Sequence, residues 1–357
     1  MTPRRVLHQV LSGAGPFDAI TREALAIREL AGGWGWKGGD HAAVLDPRIA
    51  GPIKPLDKLA VEPGDTLLIH YSAYAPKLAK VLDAPAGRRI LLNHNVTPAR
   101  WFWAHDAGVG LQCALGRRQM HQFAERCDIV VGDSLFNARE LGSERVLPLI
   151  LPWIDAERPL PPDPAQEGPG AAPGGPTVLF VGRLVPHKRQ DELIRAIALL
   201  RRHRLPDAQL VLVGEPLHER YERALRLLAD EIAPGAVKFE KSLHDEALAE
   251  RYRRAHVFLC LSEHEGFCIP LLEAFQHGVP VVARPRGAVG EIAGDAALLH
   301  DGPLDAMVEL AHFAITDHQL RTNLRERGHA RLASFSYSVT RPLLAELLDE
   351  PFLEQPT

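Results

Sequence analysis

Only four cysteines occur in the 357 residues, Cys113, Cys127, Cys260 and Cys268, and no two of them form a C-x-x-C pair. That argues against a zinc site, and Cys260, inside an apolar strand-like run, reads as a small core residue. No stretch reaches ~18 uninterrupted apolar residues, so no membrane-spanning helix is expected. The N-terminal "MTPRRVLHQVLSGAGPF" starts basic, but His8 and Gln9 break its apolar run, so it does not read as a signal peptide. Neither sign of charge dominates. The 41 Lys and Arg against 45 Asp and Glu leave a net charge of −4, with no global basic field of the kind nucleic acid requires. Missing too are the Walker loop G-x-x-x-x-G-K-[ST], a complete G-x-G-x-x-G and, despite 17 histidines, the H-E-x-x-H and H-x-x-E-H zinc spacings. Reducing cytosol is the default compartment.

What the chain does have is alternation. In the first half, β-like runs at 5–11, 66–72, 88–96, 128–134 and 145–151 are interspersed with helical patterns such as 18–30 and 111–127. A stretch dense in proline and glycine, 157–176, reads as an interdomain linker. The alternation then restarts, with strands at 177–183, 208–215, 237–243, 257–262 and 280–285 and helices at 189–203, 217–232 and 245–255. Strands alternating with helices imply βαβ units and parallel sheets. The expected architecture is α/β, with two Rossmann-like doubly wound domains, 1–156 and 177–337, facing a central cleft. A C-terminal helix, about 338–357, is expected to return to the first domain. Ligands of such folds sit at the carboxyl ends of strands.

Five segments carry chemistry, four of them at such ends. In "EHEGFCIPLLEAFQHGVP" (263–280), Glu265 lies on a loop, Pro270 suits the first turn of a helix, and Glu273 falls in that turn. Gly266 permits a backbone conformation that other residues resist. Free N–H groups at the helix start favour an anionic ligand, and two carboxylates accept from hydroxyls. Plain helix capping by acidic residues explains the spacing equally well. In "VLFVGRLVPHKRQ", Arg183 and Lys188 sit on one βα loop and suit a diphosphate; a solvated basic loop is the other reading. "LSGAGPFDAIT" offers Gly13 and Gly15 for close backbone approach, with Asp18 as helix cap, but lacks the third glycine of a phosphate loop. In "LLNHNVTP", His94 ends an apolar strand, either facing a ligand or simply hydrogen-bonded there. "RWFWAHD" clusters Trp101, Phe102 and Trp103, either as core or as an acceptor-facing platform.

Taken together, these segments resemble the retaining glycosyltransferase family 4, of GT-B fold. "EHEGFCIPLLEAFQHGVPVVA" is similar to that family's E-x7-E segment, and "FVGRLVPHKRQDELIRA" to its "VGRL…K" segment. The resemblance covers the second half well and the first half more loosely, and Cys268 stands where glycine is usual. It implies that Glu273 binds the nucleotide ribose. Glu265 would hold donor-sugar hydroxyls with the backbone of Gly266, Phe267, Cys268 and Ile269. Arg183 and Lys188 would neutralise the diphosphate, Gly13 and Gly15 would approach the phosphates, and His94 would contact the donor sugar or the acceptor hydroxyl. Glu291 would touch the nucleotide end or serve structure.

The expected activity is transfer of a hexosyl unit from a UDP- or GDP-linked sugar, a substrate rather than a cofactor, to a glycan or lipid-linked glycan. The setting implied is capsule, O-antigen or exopolysaccharide synthesis. No cofactor, metal or nucleic-acid partner is expected, and no D-x-D segment is placed to hold a cation. The location implied is cytoplasmic, with peripheral contact at the inner face of the membrane through 116–126 as one reading of that basic stretch and a solvated helix face as the other. Two rivals remain: a GT-B sugar-nucleotide epimerase or hydrolase, and a noncatalytic sugar-nucleotide-binding module. A dehydrogenase is disfavoured by the incomplete glycine loop.

Overall fold

The computed structural model describes residues 5–16, 18–49, 51–163 and 175–348. The chain divides into two compact units, one of residues 1–153 with 335–357 and one of residues 154–334.

The first unit holds six strands: β1 (Leu7–Leu11), β2 (Asp40–Ala42), β3 (Lys54–Pro55), β4 (Thr66–Tyr71), β5 (Arg88–Asn93) and β6 (Ile129–Gly132). They pair in parallel in the order β3-β2-β1-β4-β5-β6. Side chains alternate between faces along a strand, and here both faces are covered. Leu68, Ile90 and Leu92 join one apolar cluster with Ile27 and Leu30 of the helix Ala19–Gly33, while Leu67, Ile69 and Leu91 join another with Met120 and Phe123. That two-sided burial is why "TLLIHY" reads as a nearly continuous apolar run. The helix Tyr337–Leu347 adds Leu344 and Leu347 to the first cluster.

The second unit repeats the design with β7 (Thr177–Val181), β8 (Gln209–Val213), β9 (Val237–Glu240), β10 (Val257–Cys260), β11 (Val281–Ala283) and β12 (Leu298–Leu299), in the order β12-β11-β10-β7-β8-β9. Each sheet therefore reverses direction beside its first strand. The switch points, where ligands of open parallel sheets bind, lie between β1 and β4 and between β7 and β10.

Three expectations need correction. The run 145–151 forms no strand, because Val146 makes one isolated bridge to Gly132 and Pro148 has no N–H to extend a ladder. β2, β3 and β12 were not anticipated, being two or three residues long. Of the expected linker 157–176, residues 157–163 belong to the second unit, where buried Asp163 pairs with buried Arg321 at 2.5 Å. A composition rule averages over such a single buried ion pair. Residues 164–174 lie outside those described.

Candidate functional site

In the second unit, the loops after β7 and β10 meet at the switch point. Gly182 follows β7 with φ +152°, a backbone that glycine adopts without strain, and Arg183 comes next. Its guanidinium is exposed and has no ion-pair partner among the described residues. Lys188, last in a short 3-10 turn Pro186–Lys188, donates from Nζ to Glu265 Oε2 at 2.5 Å. Burial opposes the lysine's charge, but the adjacent Glu265 carboxylate more than offsets this and holds its pKa above the ordinary value. Lys188 and Glu265, expected to serve different parts of a ligand, are thus one ion pair across 77 residues of sequence. The Glu265 carbonyl accepts from Ala288 N at 2.9 Å. Gly287 makes that approach possible, since a Cβ there would lie 2.1 Å from the carbonyl oxygen.

The helix after this loop spans Ile269–Gln276, with Cys268 as N-cap at φ +78°, ψ +60°. The left-handed residue of the loop is therefore Cys268 and not Gly266, at a cost of roughly 1 kcal/mol for a side chain there. Its thiol is buried, within 4.8 Å of the Cys260 sulfur and a Glu265 carboxylate oxygen. The backbone N–H groups of Cys268 and Ile269 have no protein partner among the described residues and lie at the positive end of the helix. Pro270 is the second helical residue and Glu273 the fifth, beyond the first turn. That removes capping as the reason for Glu273, and no side chain caps this helix. Instead, the Tyr252 hydroxyl donates to Glu273 Oε2 at 2.8 Å. Burial, and then Glu273 itself, push the Tyr252 pKa well above its usual value, so the phenol stays a donor. Glu291 is exposed on the short helix Val289–Ala293, where its carbonyl accepts from Arg331.

In the first unit, the loop after β1 carries Gly13 and Gly15. Neither takes a positive φ, and a Cβ at either would come no closer than 3.7 Å to a neighbour, so the fold itself does not require glycine at these positions. Gly15 N donates to Thr21 Oγ1, and Asp18 caps the helix through Thr21 N at 2.9 Å. His94, just past β5, has its ring buried, with Nε2 3.0 Å from His70 Nδ1 and Nδ1 3.2 Å from Asp133 Oδ2. Both ring nitrogens are engaged inside the protein, which is the hydrogen-bonded alternative the sequence offered, and not the ligand contact that the resemblance implied. Of the aromatic trio, Phe102 is core and Trp103 is exposed. No helix among the described residues is long and apolar enough to cross a membrane.

Glu23, which the sequence reading missed, lies fully buried beside this histidine pair. Burial raises its pKa to about 7 despite the nearby His94. A carboxyl whose folded pKa is raised contributes stability below its unfolded value near 4.5 and loses that contribution as pH rises through about 7. His94, also raised against the opposing burial by Glu23 and Asp133, acts in the same direction. His70, lowered by burial, acts in the opposite one. Glu23→Gln should therefore remove a loss on the order of 2–3 kcal/mol between pH ~5 and ~8. Denaturant titrations of both proteins across that range check this, and parallel curves would refute it.

Two sheets of order 3-2-1-4-5-6, each flanked by helices, define a two-domain α/β protein of the GT-B fold. The sucrose-phosphate synthase of Thermosynechococcus elongatus superimposes with a TM-score of 0.74 at 18% identity, covering 97% of this chain and 98% of that one. Residues 164–331 match the family described as glycosyl transferases group 1. A D-inositol 3-phosphate glycosyltransferase from Nocardia farcinica is 33% identical over 257 residues, 68% of this chain and 56% of that protein. A GDP-mannose-dependent alpha-(1-6)-phosphatidylinositol monomannoside mannosyltransferase from Mycolicibacterium smegmatis is 28% identical over 322 residues, 85% of this chain and 80% of that one. The chain spans little more than half the length of the Nocardia relative. Together these matches support a glycosyltransferase of the glycosyltransferase-4-like kind.

Proposed function

We propose that the protein is a retaining, metal-independent glycosyltransferase that moves a hexosyl unit from a UDP- or GDP-linked sugar to a hydroxyl acceptor. The observation that carries this is the Lys188–Glu265 pair joining the loops after β7 and β10 at the switch point, beside the unpaired N–H groups of Cys268 and Ile269. As the bond from the anomeric carbon to the phosphate breaks, negative charge grows on the diphosphate. Arg183, the lysine and the helix-start N–H groups stabilise it, which leaves no step that needs a cation. Glu265, fixed by Lys188, accepts from the transferred sugar's hydroxyls. Glu273, fixed by Tyr252, accepts from the ribose.

The acceptor is a glycan or lipid-linked glycan of a surface polymer, met at the inner face of the cytoplasmic membrane. The exposed Trp103, Leu111 and Leu115, beside the 116–126 stretch, are an apolar surface suited to peripheral contact. The names of the two curated relatives add inositol-bearing acceptors to those worth assaying.

A panel of nucleotide sugars screened by thermal shift identifies the donor, and a transfer assay with that donor tests the reaction. Free sugar or isomerised donor without transfer would mean a hydrolase or epimerase, and binding without any turnover a noncatalytic module. Turnover should persist in excess chelator, and a complete, magnesium-restored loss would overturn the metal-independent scheme. Gly13→Ala should keep or slightly raise stability, by ~0.4–1 kcal/mol. It should weaken binding of the nucleotide diphosphate if a phosphate occupies the open space at this loop. Calorimetry beside a melting curve decides, and unchanged affinity removes Gly13 from the site.

A further inference from the structure

A count of hydrogens in the first unit assigns a role to Gln9 and His70. Gln9 Nε2 donates to the Ala24 carbonyl at 2.7 Å and to Asp40 Oδ1 at 2.9 Å. Both partners accept, so the amide orientation is fixed, and Oε1 is the atom 2.9 Å from His70 Nε2. His70 Nε2 must then carry a hydrogen. The His70 and His94 rings are parallel with centroids 5.2 Å apart. With Nδ1 and Nε2 at 3.0 Å, they meet nearly edge to edge, each nitrogen aimed at the other. That is the geometry of one N–H···N bond, since two metal ligands would aim their lone pairs at a third point. Last, His94 Nδ1 faces Asp133 Oδ2 at 3.2 Å, while Asp133 Oδ1 accepts from Asn137 Nδ2 at 2.6 Å. Three successive contacts need three hydrogens, and two neutral imidazoles bring two.

We propose that Gln9 and His70 are positioning residues that hold His94 as an imidazolium, so that the ring serves as a buried cationic tie and not as a base or a ligand contact. Glu23 lies on the other side, its Oε2 3.5 Å from His94 Nε2 and 3.9 Å from His70 Nδ1, and it becomes a second counter-charge only as it ionises through about pH 7. The other charged group felt from that helix is Asp18, on the opposite side Asp133 stands alone, and Asp40 reaches the chain only through Gln9. The tie joins the middle of β1, at Gln9, to the carboxyl ends of β4, β5 and β6. Asp133 passes it through Asn137 to Asn95, which is held at φ +77°. Ser12 N, at the start of the glycine loop, donates to the His70 carbonyl at 3.1 Å. Loss of the third hydrogen leaves two lone pairs opposed and loosens both loops.

The test uses the full chain and its turnover arm alone rests on the proposed transferase activity. Nitrogen NMR of the ring atoms in wild type should show both His94 nitrogens protonated from pH ~6 to ~8. His70→Phe, which removes the acceptor, should lower the His94 pKa by about one unit, so that one ring nitrogen loses its hydrogen at a correspondingly lower pH. His70→Gln, whose amide can both accept from His94 and donate to Gln9, should restore the wild-type pattern. The alkaline limb of the turnover profile should move toward acid by about one pH unit in His70→Phe and return in His70→Gln. A single protonated nitrogen on wild-type His94 at pH ~6 overturns the proposal. So does about one equivalent of divalent metal in the purified protein bound by Glu23, His70 and His94. An imidazolium present with an unmoved turnover profile ends the positioning role. If no donor is turned over, the NMR arm still decides the proton count. If His70→Phe fails to fold, wild type and His70→Gln decide it.

Discussion

Arg183→Ala is expected to lower turnover by ~10²–10³-fold while leaving the unfolding transition unchanged. Its guanidinium is exposed and has no ion-pair partner among the described residues, so truncation takes nothing from the fold. It takes only a charge that matters once the leaving diphosphate becomes more negative. Lys188→Ala should behave differently, although the two residues share one loop. The lysine side chain is 20% exposed and that of Glu265 6%. Removing the lysine leaves a carboxylate stranded in a poorly hydrated place. Breaking a fully buried pair costs ~3–5 kcal/mol, and partial exposure of the lysine brings this to roughly 2–3. Urea unfolding beside single-turnover rates separates the two. Equal melting of both variants would mean that the ion pair is not held in solution, and near-normal turnover in Arg183→Ala would remove that residue from the mechanism. Lys188→Arg should recover much of the stability, because the charge returns.

Central strands such as β4, β7 and β10 were legible in the sequence because burial on two faces makes them nearly unbroken apolar runs. The peripheral β2, β3 and β12 were not, since two or three residues carry no period. Within the site, Lys188 and Glu265 could each be singled out from local motifs. Their ion pair could not, because it joins loops 77 residues apart and depends on which strands are neighbours. The loop backbone was misassigned for a similar reason: composition points to Gly266 as the permissive residue, while the chain bends at Cys268. His70 did leave a trace, as the polar residue inside the apolar "TLLIHY". So did Glu23, set one residue before Ala24 and four before Ile27 on a helix whose buried residues include all three. Tyr252 left less, since an aromatic in an amphipathic helix is ordinary core, and only the folded chain puts its hydroxyl on Glu273.

The two glutamates should fail in different ways. Glu273 acts, on the proposed function, on the nucleotide, which does not change in the reaction. Glu273→Ala removes binding shared by ground and transition states, so KM for the donor should rise more than kcat falls, and the nucleotide diphosphate should bind more weakly. Tyr252→Phe should reproduce part of this, because the hydroxyl that orients Glu273 at 2.8 Å is gone while the ring still stacks on His277. Glu265 acts on the transferred sugar, whose shape and charge do change. Glu265→Gln is the cleaner variant, since it keeps an oxygen for the sugar and for Lys188 but loses the charge. It should lower kcat by ~10²-fold and leave affinity for the free nucleotide diphosphate nearly intact. Calorimetry with the nucleotide diphosphate, steady-state kinetics with the donor and a melting curve for each variant make the comparison. Equal loss of nucleotide affinity at both positions, with equal kcat, would show that the carboxylates do not divide the donor between them. Changes confined to the melting curve would make both glutamates structural, with Lys188 and Tyr252 as their reason for being there.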